Sequence, residues 1–155
     1  MVAEWIDHTN YPQAPAMDET RLMGLFEETE FARLGTINED GTVHMTPIYF
    51  LYAEGQIVMA SQEPSRKIRN IKRNNQVTVL IDVTEPVYRG ALIYGTAELS
   101  YDNIIEQRIA IFNRTRSRNI GEAYARKLQA KWDCVIIRVT PERIATFDYS
   151  ASTID

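Results

Sequence analysis

Apolar residues recur at two spacings along the chain, and the places where the spacing changes divide it into elements. Leu22, Leu25 and Phe26 share one face of a helix predicted over 19–28, with Asp18 placed to cap its first turn. From Phe31 the pattern becomes that of strands, predicted over 31–38, 42–52 and 56–60. Glu39-Asp40-Gly41 and Glu54-Gly55 separate them, each with a glycine that tolerates a positive φ. Connections this short favour antiparallel neighbours. Pro47 has no N–H to give a ladder, so an edge or a bulge is expected there. A helix follows over 65–73, then a strand over 76–83, a turn at Glu85-Pro86 and a strand over 91–99. Gly95 inside that last strand signals a sharp barrel bend or the close approach of another group.

Ile105, Ile109 and Phe112 form the apolar face of a helix predicted over 102–116, and Ile120, Tyr124 and Leu128 that of another over 120–131. The chain is expected to finish as a hairpin, with strands over 133–139 and 143–147 and a turn at Pro141-Glu142. Residues 1–17 carry Pro12 and Pro15 and keep no period. They read as an N-terminal arm, extended and set against a partner subunit through Trp5 and Tyr11. Residues 18–155 read as one domain. Closely spaced strands with helices early, midway and late predict a mostly β fold. The expected form is an antiparallel barrel of six to seven strands, closed to remove its edges, with helices packed outside.

Composition narrows the function classes. The 155 residues suit one domain with a real core, and the net charge is −4. Setting aside Arg66, Lys67, Arg69, Lys72 and Arg73 leaves 12 basic against 21 acidic residues, which argues against a nucleic-acid binder. The single cysteine, Cys134, permits no internal disulfide and reads as a small buried hydrophobe in a strand. No stretch approaches the ~18 unbroken apolar residues of a membrane span. The first residues lack a signal-peptide layout, so a cytoplasmic location is expected.

The cationic island stands where chemistry is expected. Ser61 to Arg73 places two hydroxyls, Pro64 and the adjacent cations Arg66 and Lys67 where a strand ends and a helix begins. A helix start presents unpaired N–H groups and the positive end of its dipole. Ser65, Arg66 and Lys67 there make a site for a terminal phosphate. A solvated basic helix capped by Ser65 is the competing reading. Glycine-rich phosphate loops are absent, so side chains must do the recognising. Arg69, Lys72 and Arg73 read as solvent-facing. In His44-Met45-Thr46-Pro47-Ile48-Tyr49-Phe50, the proline frees neighbouring backbone groups to meet a planar, edge-polar ligand. His44 reads as an ordinary histidine beside a turn, and His8 falls in the arm. No catalytic residue is assigned, and two distant histidines with one cysteine give no metal spacing. Tyr49, Phe50, Tyr52, Tyr88, Tyr94 and Trp132 read as core or interface.

Taken in order, these motifs resemble the pyridoxamine 5′-phosphate oxidase-like FMN-binding split-barrel family. The resemblance is carried by Ser65-Arg66-Lys67, Asn70-Ile71, Asn74-Asn75-Gln76-Val77 and the strand Arg89 to Glu98 ending Gly95-Thr96-Ala97-Glu98. It covers roughly 20–100 well and the final hairpin more loosely. It implies that Arg66 and Lys67 hold the FMN phosphate. Met59, Ala60 and Ser61 would line the flavin or its ribityl chain, and Met45, Thr46, Pro47 and Ile48 would lie against the isoalloxazine. The chain departs from the vitamin B6 oxidase itself. It has Arg89-Gly90-Ala91 for an Arg-Gln-Val step, His44-Met45 where an Arg heads the flavin-facing strand, and no closing Arg-Leu-x-Pro segment. The resemblance therefore implies an FMN-dependent oxidoreductase outside the B6 branch, passing hydride through flavin N5 to or from a small unidentified substrate, with NAD(P)H as a candidate donor. It also implies a homodimer with flavins in clefts between subunits. The family leaves two other readings open: an F420-dependent reductase, with Arg69 or Arg73 serving the acidic tail, and a non-catalytic flavin- or haem-binding module.

Overall fold

The structure is a computed structural model that describes residues 4–9, 14–115 and 121–151. It opens with strand β1 (Glu4–Thr9), then helix α1 (Glu19–Glu28). Strands β2 (Phe31–Ile37), β3 (Val43–Ala53) and β4 (Gln56–Gln62) form a meander, followed by α2 (Arg66–Arg73). Next come β5 (Gln76–Val83), β6 (Arg89–Ser100), α3 (Ile104–Asn113), α4 (Gly121–Lys131) and β7 (Cys134–Asp148). No helix among the described residues is long and apolar enough to cross a membrane.

The expected barrel is present. Strand order is β7-β4-β3-β2-β5-β6, and β6 pairs back onto β7 to close an antiparallel ring of six. Among the described residues, four α-helices flank it. Short turns set the meander: Gly41 (φ +87°) closes β2–β3, and Glu54 and Gly55 (φ +54° and +78°) close β3–β4. The predicted first helix has the observed bounds, and the Asp18 side chain accepts the Arg21 N–H at 2.8 Å. Leu22, Leu25 and Phe26 are buried against the barrel. Inside it pack Leu34, Phe50, Ile57, Met59, Val79, Ile81, Ile93 and Ile137, each 0% exposed. Burying one such side chain is worth roughly 1.5–3 kcal/mol. A second cluster, Val58, Ile111 and Ile136, seats α3 on the outer face of β4 and β7.

Pro47 does sit at an edge: β2 pairs with 43–49 of β3, whereas β4 pairs only with 50–53. One expectation needs correcting. The last segment is not a hairpin. β7 runs unbroken for 15 residues, and β6 pairs with it from Arg89↔Asp148 to Ser100↔Ile136. Gly95 faces Pro141 while Tyr94 faces Arg143, so Glu142 is an extra residue in a bulge, not part of a turn. A Cβ on Gly95 would overlap the Thr140 carbonyl oxygen, the close approach that the glycine signalled. In addition, Glu4–Thr9 forms a strand, parallel to β7 on the edge that β4 leaves free. Tyr11, Ile120 and the side chains of Trp5 and His8 lie outside what is described.

Candidate functional site

A cleft of about 250 Å³ opens where β3, β4, α2, α3 and α4 meet. Its floor is strand: Pro47, Ile48 and Tyr49 from β3, and Ala60, Ser61 and Gln62 from β4. Lys67 enters from the first turn of α2. Arg108, Ile111 and Phe112 of α3 and Tyr124 and Leu128 of α4 complete its lining. Tyr49 stacks on Phe31 at 4.2 Å between centroids and meets Phe112 edge-on at 5.7 Å. The result is an aromatic flank with cations at two places.

Strand alternation decides which predicted residues reach the cleft. Ile57 and Met59 point into the barrel, so the Met59 side chain is core and does not line the cleft. Ala60 and Gln62 face outward and do. Ser61 is 2% exposed, and its Oγ lies 3.1 Å from Ser65 Oγ, tying the end of β4 to the residue before α2. The Ser65 side chain therefore meets Ser61 and makes no capping bond to the helix. Pro47 and Ile48 line the floor. Thr46 is half-buried, and Met45, 52% exposed, lies with its sulfur over Gly35, outside the cleft lining.

The adjacent cations part company. Successive helical residues point about 100° apart. Lys67 turns into the cleft and is half-buried, and burial lowers its pKa from the ordinary 10.5. Arg66 is exposed and does not line the cleft, although its charge helps hold the Asp40 carboxyl low, behind the larger effect of Thr42 hydrogen bonds. Farther along α2, Lys72 pairs with Glu63, whose carboxylate also accepts the Tyr101 hydroxyl at 3.1 Å. Arg73 donates to the Ile37 carbonyl and, at 3.2 Å, to Asn70 Oδ1. Lys72 and Arg73 border a wider, open groove of about 750 Å³, where these polar groups already serve one another. Arg69 is exposed. His44 does not line the cleft, and no group of three or more His, Cys, Asp or Glu converges among the described residues.

Arg108 is the residue the sequence reading passed over. It is 4% exposed, donates to the Cys134 sulfur at 2.7 Å, and lies 6.0 Å from the Phe112 ring centroid. Its Nε has no hydrogen-bond partner. A signal was there: Arg108 is four residues after Ile104 and three before Ile111, a lone cation on an apolar helix face. No carboxylate lines the cleft among the described residues. Its chemistry thus suits an elongated ligand with an anionic group and a flat apolar body.

A closed six-stranded barrel with such a cleft on its outer face defines a split-barrel protein. The family model described as pyridoxamine 5′-phosphate oxidase matches residues 19–148, and the chain belongs to that family. No curated protein matches the sequence. Among solved structures, a conserved hypothetical protein of Mycobacterium tuberculosis aligns at TM-score 0.76 and 21% identity, over 91% of this chain and 90% of that one. An FAD-binding protein of Mesorhizobium loti aligns at TM-score 0.62 and 18% identity, over 87% and 96% of the two chains. An F420 reductase aligns at TM-score 0.62 and 22% identity, over 79% and 94%. At these identities the likeness is one of fold.

Proposed function

We propose that this chain binds FMN in the cleft and acts as a flavin-dependent oxidoreductase on a small substrate. The observation that carries the reading is Lys67. A half-buried ammonium stands at the head of α2 beside the paired hydroxyls of Ser61 and Ser65, with no carboxylate lining the cleft among the described residues and an aromatic flank alongside. That fits a phosphate at one end and a planar ring at the other. When bound, the flavin would supply the hydride chemistry. The residues of this chain would anchor and orient it. Lys67, Ser61 and Ser65 would hold the phosphate, with Arg66 adding charge from outside, and Ala60 would pack along the ligand. The stretch from Met45 to Ile48 would offer backbone groups from the unpaired side of β3 to the ring edge.

A cleft of about 250 Å³ is smaller than sites that enclose a ligand of this size, usually about 300–1,000 Å³. A flavin would extend beyond it, along the single-sided part of β3 where Val43 and Met45 are exposed. A second copy of the chain is the proposed cover, giving a homodimer. The test is the absorption spectrum and mass of the molecule that copurifies with the protein, then turnover with NAD(P)H or another donor. FMN with turnover supports the reading. A purified protein that takes up no flavin, or a monomer that holds flavin fully, overturns the respective part. F420 is the second candidate, favoured by the F420 reductase among the fold neighbours, and its mass separates it from FMN.

A further inference from the structure

Arg108 poses a question that the fold does not answer. It sits in the middle of α3, buried to 4% exposure, with a thiol, a weak acceptor, as the hydrogen-bond partner of its Nη1. Its Nε is unpartnered. A guanidinium carries five donors and keeps its charge at any pH a protein meets. Sequestering that charge without a carboxylate is unfavourable, and replacing buried charge by an apolar side chain of similar volume is often neutral or stabilising for a fold. Buried polar groups left unsatisfied call for an explanation. The neighbourhood supplies one. Arg108, from α3, lines the same cleft as Lys67, from α2, and no acidic residue lines it among the described residues. Two cations from different helices in one cleft without an acidic residue among the described residues, in a chain of net charge −4, suit a ligand that brings its own negative charge.

We propose that Arg108 is the second anion-binding residue of the cleft, acting with Lys67 on a phosphate or carboxylate group of the ligand. The adjacent pair Arg66 and Lys67 then contributes one direct contact, and the guanidinium fork comes from α3. The ligand class is a compact anion attached to an apolar body: either the cofactor phosphate or the acid group of a substrate. The cofactor arm rests on the flavin reading, whereas the anion arm stands without it.

The experiment compares the wild-type chain, Arg108→Met and, as a control of equal charge change, Lys127→Gln, whose parent residue is exposed on α4 and does not line the cleft. The first probe is inorganic phosphate, read as a rise in melting temperature. Phosphate stabilises wild type and Lys127→Gln, and its apparent affinity falls about tenfold or more in Arg108→Met. An equal phosphate response in all three proteins, or none in wild type, overturns the proposal. Without ligand, Arg108→Met melts at or above wild type, because a charge without an ionic partner has gone. A folded variant that melts well below wild type and still answers phosphate makes Arg108 a structural residue and overturns the proposal too. If Arg108→Met does not fold, the Nε–H resonance of Arg108 in wild type decides. A saturable shift with phosphate supports the site, and an unmoved resonance sinks it.

The second probe is the pair FMN and riboflavin, which share a ring and differ in the phosphate. A lower FMN-to-riboflavin preference in Arg108→Met assigns the anion to the cofactor. An unchanged preference, with phosphate binding to the FMN-loaded protein lost in the variant, assigns it to the substrate. Failure of wild type to bind either flavin while phosphate still discriminates the variants removes the flavin reading and leaves Arg108 as an anion site.

Discussion

Replacing Lys67 with Gln removes a charge while keeping a polar side chain of similar length. The site predicts a loss confined to the anionic end of the ligand. A charge-assisted hydrogen bond shielded from water is worth about 1.5–3 kcal/mol. Lys67 is half-buried, so solvent screening takes the lower part of that range, and about 1.4 kcal/mol is a factor of ten. FMN affinity should therefore fall roughly tenfold to thirtyfold, while riboflavin affinity stays within about twofold. Flavin fluorescence quenching on titration reads both. The pH dependence adds a second, independent signature. Burial lowers Lys67 from 10.5, and a bound anion favours the charged form. FMN binding should weaken as pH rises through that lowered value, before an exposed lysine would titrate, with protons taken up on binding. In Lys67→Gln this alkaline limb disappears. Stability of the ligand-free chain moves the other way: between the lowered value and 10.5 the unfolded chain binds more protons, so stability rises with pH. Equal losses of FMN and riboflavin affinity, or an alkaline limb that survives in the variant, would refute the assignment.

Gly95→Val forces a side chain into the Thr140 carbonyl across the β6–β7 bulge, and overpacking of this kind costs about 1–3 kcal/mol or more. Urea denaturation should show a lower midpoint, and one within error of wild type would count against the bulge. Asn70→Ala removes the buried amide that donates to Thr36 Oγ1 at 3.0 Å and to Asn38 Oδ1 at 2.9 Å. A loss of about 1–3 kcal/mol is expected by the same assay, because Thr36 is left buried without that donor. Asp148 is buried, which raises its pKa, but the Ser150 hydroxyl and N–H and the Arg21 guanidinium at 2.5 Å outweigh burial and hold it below 3.8. Its contribution is present above that value and lost as pH falls through the lowered one. Acid unfolding of Asp148→Asn should lose that part of its pH dependence, and an unchanged acid limb would exclude the carboxylate.

Much of the fold was legible because each local signal agreed with its neighbours. Asp18 and the Leu22–Leu25–Phe26 face gave α1, and glycines at the hairpin turns gave the meander, because few other residues accept those backbone angles. The final strand was misread where one residue type has two meanings. Pro141-Glu142 suits a turn, yet proline is also at home beside a bulge. The hydrophobic phase would have separated them. Val135, Ile137 and Val139 face the core, as does Ile144, so the inward positions change from odd to even across one extra residue. A bulge shifts the phase that way while the strand runs on. β4 was read two residues short for a related reason: Ser61 and Gln62 are polar because they serve the cleft and α2, and that use hides the strand pattern.

The candidate site was legible as a place but not as a set of side chains. Local sequence identifies a helix start with cations near it, because that depends on residues in a row. Which cation faces the cleft depends on helix rotation, and the rotation is set by Ile68 and Ile71, which must face the barrel. With those two inward, Lys67 falls on the cleft side and Arg66 on the solvent side. Arg108 joins the site through a contact between α3 and the outer face of β4, 41 residues after Lys67 in the chain. No spacing rule encodes that distance. What the sequence does hold is the conflict itself, an arginine where the apolar period asks for a hydrophobe. On a helix whose neighbouring positions keep the apolar period, such a conflict marks the place where stability is given up for binding under the Arg108 proposal.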